Sequence, residues 1–474
     1  MSKLPLVEGV LKYVKEHNIS FSMPGHKNGR GFLTTAEGKE LMDNFISCDI
    51  TEVHGVDNLH KAEGIIKEST ELLSKFYGSE KSYFLVNGST SGNLIMIFSS
   101  FNEGEKIIVD RNCHKSVFNG IIMRKLKPVY VKNIIDGKYN APFSIDMEHF
   151  FKVIKENKDA KGIILTYPNY YGVCFNIEEV IKEARKNNMK VLIDSAHGAH
   201  FGANSKLPSS AIKMGADMVV VSAHKTLPSL TQTAFLHINN KEDIDKVNFY
   251  FNCFSSTSPS YLFMCSMDYS RYYLQNYGEK AYDDLIELAD KYKAEIEKID
   301  HVSIISREYV KTKYQYDLDP TRYILNLEKG YNGNLLLDYL REKGIQCEMS
   351  DTYNLILIFS PFNNEEEFKY LYKTLRECDL SKFKFNSIDL VSNYHIPHVE
   401  IPPYEAVERK KKKVKIYEAI GCICGENVIP YPPGIPIIMM GEIIDKDIVH
   451  MLEYYIENHT DILGIYEDKI TILE

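Results

Sequence analysis

Asp194 lies in V-L-I-D-S-A-H-G and Lys225 in V-V-V-S-A-H-K-T, so both follow apolar, β-branched stretches and precede small or polar residues. A lysine amine forms a reversible imine with an aldehyde. A carboxylate facing a pyridinium nitrogen stabilises the charge there. These are the two groups with which an enzyme runs pyridoxal phosphate as an electron sink. Either residue alone says little, because a lysine after an apolar run is ordinarily a solvated strand end.

Neighbouring segments add to the pair. Asn87 to Gly92, N-G-S-T-S-G, has the composition of an anion cradle. Its glycines admit close backbone approach, its hydroxyls donate, and a helix expected to start near Asn93 offers free amides and a positive dipole end. The spacing matches neither the Walker nor the dinucleotide glycine pattern, and a plain helix N-cap is the other reading. His114, in D-R-N-C-H-K-S, either lies flat on an aromatic cofactor or is a polar turn residue. His197 and His200 together with Asp194 admit a zinc site. No acidic residue stands where Glu does in H-E-x-x-H, and Cys422 and Cys424 lack a second ligand pair, so no metal is expected.

The elements that must position these residues are short apolar runs between about residues 80 and 240. They are Y-F-L-V (83–86), K-I-I-V-D (106–110), P-V-Y-V (128–131), G-I-I-L-T (162–166), K-V-L-I-D (190–194) and D-M-V-V-V-S (217–222). Continuous rather than alternating apolarity, with helical stretches between, predicts an α/β fold: a mainly parallel sheet covered on both faces. Ligands of such sheets sit beyond the carboxyl ends of the strands, where Asn87 to Gly92, Asp110 to His114, Asp194 to His197 and Ser222 to Lys225 fall. A long helix is expected from Tyr261 past residue 290. Separate strands and helices follow it, R-Y-I-L-N-L (322–327), L-I-L-I-F-S (355–360) and a helix over 365–376, which read as a smaller α+β C-terminal domain. The expected division is an arm over 1–60, a large cofactor-binding domain over 61–300 and the C-terminal domain over 301–474. I-P-Y-P-P-G-I-P (429–436) cannot be helical.

At 474 residues the chain exceeds what one core usually organises. Net charge of −9 disfavours nucleic acid as a partner. No apolar run approaches the roughly 20 residues of a membrane span, and the charged start is unlike a secretory signal, so no membrane association is expected. Nine cysteines without a regular framework suit reduced thiols and a cytoplasmic location. The basic run Arg409 to Lys413 reads as a solvated helix face.

M-P-G-H-K (23–27), D-I-T-E-V-H-G-V-D-N-L-H (49–60), N-G-S-T-S-G-N (87–93), R-N-C-H-K-S (111–116), T-Y-P-N-Y-Y-G (166–172), D-S-A-H-G-A-H (194–200), S-A-H-K-T-L (222–227), T-S-P-S-Y (257–261) and P-Y-P-P-G-I-P (430–436) occur in this order. Together they resemble the Orn/Lys/Arg decarboxylases of the aspartate-aminotransferase fold, from about residue 20 to 445. The resemblance implies decarboxylation of a basic amino acid, with arginine to agmatine for polyamine synthesis as the first expectation and lysine or ornithine as alternatives. It implies that Lys225 forms the imine, Asp194 faces the pyridinium nitrogen and His114 stacks on the ring. Ser89, Thr90, Ser222 and His224 would hold the phosphate, and His197 would flank the ring where larger members have tryptophan. It further implies a homodimer with active sites between subunits, and M-P-G-H-K and P-Y-P-P-G near the substrate channel. The N-terminal wing domain of the larger members has no counterpart before Met23, which is the short type of chain. For the distal cation of the substrate, Glu348, Asp351, Glu400, Glu405, Glu426 and Glu442 are candidates. Another pyridoxal phosphate reaction, such as that of an aldolase or aminotransferase, would use the same Lys225 and Asp194. A metal-dependent hydrolase and a non-catalytic protein on an inherited fold are the remaining alternatives.

Overall fold

The computed structural model describes residues 3–385, 395–431, 434–457 and 460–474. Its centre is a seven-stranded sheet. The strands are β1 (Lys81–Leu85), β2 (Lys106–Asp110), β3 (Lys127–Val131), β4 (Gly162–Thr166), β5 (Lys190–Asp194), β6 (Met218–Val221) and β7 (Ala234–Ile238). They lie in the order β1-β7-β6-β5-β4-β2-β3, all parallel except β7, which runs antiparallel to both its neighbours. Inner positions of β2, β4, β5 and β6 are buried on both faces, which is why these strands carry Ile, Leu and Val without alternation. In register, Val220 of β6 lies opposite Asp194 of β5, which brings the two chemistry-bearing strand ends side by side.

Helix α1 (Gly88–Ser100) follows β1 and packs so closely on the sheet that a Cβ on Gly92 would stand 2.4 Å from Val220 Cγ2. It begins at Gly88, whose φ of +73° favours glycine, and not near Asn93 as the sequence suggested. Helix α2 (Lys115–Met123) follows β2, the single turn α3 (Ala223–Thr226) follows β6, and α4 (Tyr261–Ile296) is the long helix expected there.

Beyond α4, strands Val302–Ile304, Arg322–Leu327, Asn354–Ile358 and Met349–Ser350 form an antiparallel sheet in that order. Ile19–Phe21 of the N-terminal segment pairs in parallel with Ile345–Cys347, so this segment is stitched to the smaller sheet region. Residues of the large sheet and of this sheet share one continuous core. The C-terminal part has a second core of its own, built from Ile416, Ile438, Ile448, Leu452 and Ile472 among others, which also takes in Ile135. The basic run is not a helix face. Lys411–Lys415 is a strand paired with Lys469–Leu473 and almost wholly exposed. Lysines there keep further strands from adding to it. Among the described residues no helix is long and apolar enough to cross a membrane.

Candidate active site

The ends of β1, β2, β5 and β6 carry the residues singled out above. Asp194 is the last residue of β5 and is 2 % exposed. Its Oδ1 accepts from the Ala196 N–H at 3.1 Å and its Oδ2 from the Asn93 amide at 2.8 Å, so both oxygens of the buried carboxylate have donors. Lys225 lies in α3, one strand away. Its Nζ stands 2.9 Å from His197 Nε2. Burial lowers the Lys225 pKa from the ordinary lysine value, opposed by the Asp194 and Glu348 carboxylates. Burial, with the adjacent Lys225 charge, pushes His197 well below the usual histidine range. His197 is therefore neutral at physiological pH and accepts from the lysine. The Tyr170 ring meets it edge-on at 4.6 Å.

His114 caps the N-terminus of α2, its Nδ1 accepting from the Ser116 N–H at 3.2 Å and lying 2.8 Å from Ser116 Oγ. Burial lowers its pKa, with Asp194 opposing and Lys225 adding to the shift. Ser89 and Thr90 occupy the first turn of α1, and Ser222 Oγ donates to Ser89 Oγ at 2.8 Å across the sheet end. Hydroxyls and free helix amides thus converge beside the lysine turn, an arrangement suited to a phosphate. His224 turns its Nδ1 to the Thr233 carbonyl at 2.9 Å, and burial lowers its pKa.

The M-P-G-H-K segment closes over the lysine turn. The Gly25 N–H donates to the His224 carbonyl at 2.8 Å, and a Cβ on Gly25 would stand 2.4 Å from the Thr226 carbonyl carbon, so only glycine fits. Lys27 is fully buried, its Nζ donating to the Ser22 and Ile358 carbonyls at 2.5 and 2.9 Å. The companion segment P-Y-P-P-G includes Pro432 and Pro433, which lie outside the described residues.

Asp194, His197 and His200 do not converge. His200 Nε2 pairs with Asp319 Oδ1 at 3.2 Å while the other two face Asn93 and Lys225. The acidic candidates for a substrate cation also separate. Glu442 is fully buried against Arg111 in a bidentate ion pair, which removes it from that role. Asp351 is buried beneath the Tyr171 hydroxyl and the Tyr353 and Asn354 amides. Glu400 and Glu405 are on the surface, and Glu426 accepts from Thr471 at 3.2 Å. Glu348 is the one whose charge reaches Lys225. It accepts from the Tyr170 hydroxyl and from the Met23 N–H at 2.8 Å.

Sequence reasoning missed Asn93, Ser116, Tyr170 and Lys27 as members of the site, although each lies inside a quoted motif. Around Lys225 the buried atoms His197 Nδ1, Thr226 Oγ1 and Asn93 Oδ1 have no hydrogen-bond partner among the described residues. Orphaned polar atoms beside an amine, a carboxylate and a hydroxyl-lined helix end fit a bound polar aromatic phosphate.

Residues 4–367 match the Orn/Lys/Arg decarboxylase major domain and residues 394–464 its C-terminal domain. The chain is 35% identical over 466 residues to the Bacillus subtilis protein YaaO, covering 97% of this chain and 96% of that one. It is 34% identical over 464 residues to an arginine decarboxylase of Halalkalibacterium halodurans, covering 96% and 93%. The inducible lysine decarboxylase of Escherichia coli is 24% identical over 571 residues, covering 98% and 79%. Among solved structures, the Francisella novicida lysine decarboxylase superposes with a TM-score of 0.78 at 23% identity, over 99% of this chain and 81% of that one. The chain belongs to the Orn/Lys/Arg decarboxylase family and is a pyridoxal phosphate-dependent amino acid decarboxylase.

Proposed function

We propose that the protein decarboxylates arginine to agmatine, as a cytoplasmic homodimer serving polyamine synthesis. The observation that carries the chemistry is the side-by-side placement of Asp194 and the lysine turn on neighbouring strand ends. Arginine is favoured over lysine and ornithine because relatives named arginine decarboxylase are 30–34% identical over most of the chain, against 24% for lysine decarboxylases. Dimer and pathway rest on the family resemblance, and the location on the cysteine pattern.

When bound, pyridoxal phosphate supplies a conjugated ring that accepts the electron pair left as carbon dioxide departs. Lys225 Nζ is the attachment point. Its lowered pKa leaves more of the amine uncharged at neutral pH than a solvated lysine would. Asp194 presents its charge to the ring nitrogen, with Asn93 and the Ala196 N–H holding the carboxylate in place. His114 and His197 would hold the ring, and Ser89, Thr90, Ser222 and His224 would hold the phosphate. Lys225 is the group placed to return a proton to the α-carbon, its Nζ donating to the neutral His197 Nε2 at 2.9 Å.

Incubation of the purified holoprotein with arginine, lysine and ornithine separately, with identification of the amine formed, tests this reading. Agmatine with carbon dioxide is expected. Cadaverine or putrescine as the main product would overturn the substrate assignment, and release of carbon dioxide from none of the three would overturn the reaction.

A further inference from the structure

We infer that Asn93 is a positioning residue that sets the Asp194 carboxylate and the His114 tautomer together through one amide nitrogen, an inference that rests on the function proposed above. Asn93 is 1 % exposed in the second turn of α1, a place where asparagine is a poor helix former and an apolar residue would pack. Its Nδ2 lies 2.8 Å from Asp194 Oδ2 and 2.8 Å from Ser116 Oγ. A carboxylate only accepts, so the atom facing Asp194 is the nitrogen and not the oxygen. Both amide hydrogens are thereby committed, one to each partner.

The rest of the chain of donors follows from valence. Ser116 Oγ receives a hydrogen from Asn93 and has its own to give, and His114 Nδ1 stands 2.8 Å away. The Ser116 backbone N–H points to the same nitrogen. His114 Nδ1 is therefore an acceptor from two donors, and the ring hydrogen sits on Nε2. Meanwhile Asn93 Oδ1 is buried with no partner among the described residues, so the side chain satisfies Asp194 and Ser116 while its own acceptor goes unpaired there. A residue present only to fill space would not carry that cost. The result is a single side chain that reaches the carboxylate at the end of β5, 101 positions away, and through Ser116 the imidazole at the start of α2.

Asn93→Asp and Asn93→Ala separate donation from packing. Asp keeps the shape but replaces the donor with a second carboxylate, whereas Ala removes the side chain. With cofactor bound to both variants, kcat is expected to fall on the order of 10- to 100-fold for Asn93→Ala, the worth of a hydrogen bond to a charged group, and further for Asn93→Asp. The Asn93→Asp deficit should shrink as the pH is lowered and the new carboxyl regains a hydrogen to donate. In the cofactor-free protein, ¹⁵N NMR of labelled histidine should show His114 protonated on Nε2. Ser116→Ala, the milder variant, should move part of that population to Nδ1. An Asn93→Asp enzyme as active as or more active than Asn93→Ala, or a His114 tautomer unchanged in Ser116→Ala, would overturn the inference. The NMR reading needs neither cofactor nor substrate, so it stands apart from the substrate assay above.

Discussion

Lys225 and His197 share a 2.9 Å hydrogen bond in which the neutral imidazole accepts from the amine. An acceptor favours the charged amine, while the surrounding burial disfavours it. His197→Phe keeps the burial and removes the acceptor, so the Lys225 pKa should fall further below its ordinary value. In the cofactor-free protein, the pH at which pyridoxal phosphate attaches at half its maximal rate should move down. A midpoint unchanged or moved up would contradict this reading of the pair.

Asp194→Ala removes the charge that faces the ring nitrogen while leaving the phosphate cradle and Lys225 intact. Cofactor should still bind. Turnover should fall on the order of 10²- to 10³-fold, the range for deleting one preorganised charge-stabilising group. Steady-state kinetics alongside cofactor absorbance checks both halves, and near-normal turnover would refute the role of Asp194.

Arg111 and Glu442, both fully buried, join the loop after β2 to the C-terminal part. The Arg111 guanidinium also donates to the Pro436 and Ile437 carbonyls at 3.1 and 3.0 Å. Breaking one partner strands a buried charge, so Glu442→Leu should cost about 3–5 kcal/mol, read as a lowered unfolding midpoint in urea. Replacing both partners with apolar residues of similar volume should cost less than either single change. His114 lies three residues after Arg111, so the single variants should also weaken cofactor binding.

Lys27 is lowered to about 7 by burial, partly offset by Glu348 and Glu367. The unfolded chain holds that proton up to about pH 10.4. Between these values the unfolded state binds the extra proton, so stability rises with pH from about 7 to 10 and is flat below 7 on this account. Lys27→Met should remove the Lys27 contribution and so flatten that rising limb. Urea midpoints measured across the range for both proteins check the slope, which is independent of any constant cost of leaving the Ser22 and Ile358 carbonyls unpaired.

Much of the central sheet was legible because its strands are uninterrupted β-branched runs. The segments 106–110, 162–166 and 190–194 are strands over those residues, as is 322–327 in the smaller sheet. The start of α1 was not legible, since N-G-S-T-S-G reads as a loop and only the positive φ of Gly88 lets the helix begin there. Lys411–Lys415 misled for another reason: its strand state comes from pairing with Lys469–Leu473, which no local pattern announces. The residues of the site stood out where a motif placed them at a strand end. Asn93 did not, because its role depends on a partner 101 positions away, and nothing local set Glu348 apart from the other acidic candidates, since its partner Tyr170 lies 178 positions away.

Borohydride reduction of the holoprotein followed by peptide mapping tests the central claim most directly. The pyridoxyl label should appear on the peptide containing Lys225. Label on another lysine, or none on that peptide, would contradict the assignment on which the chemistry of the site depends.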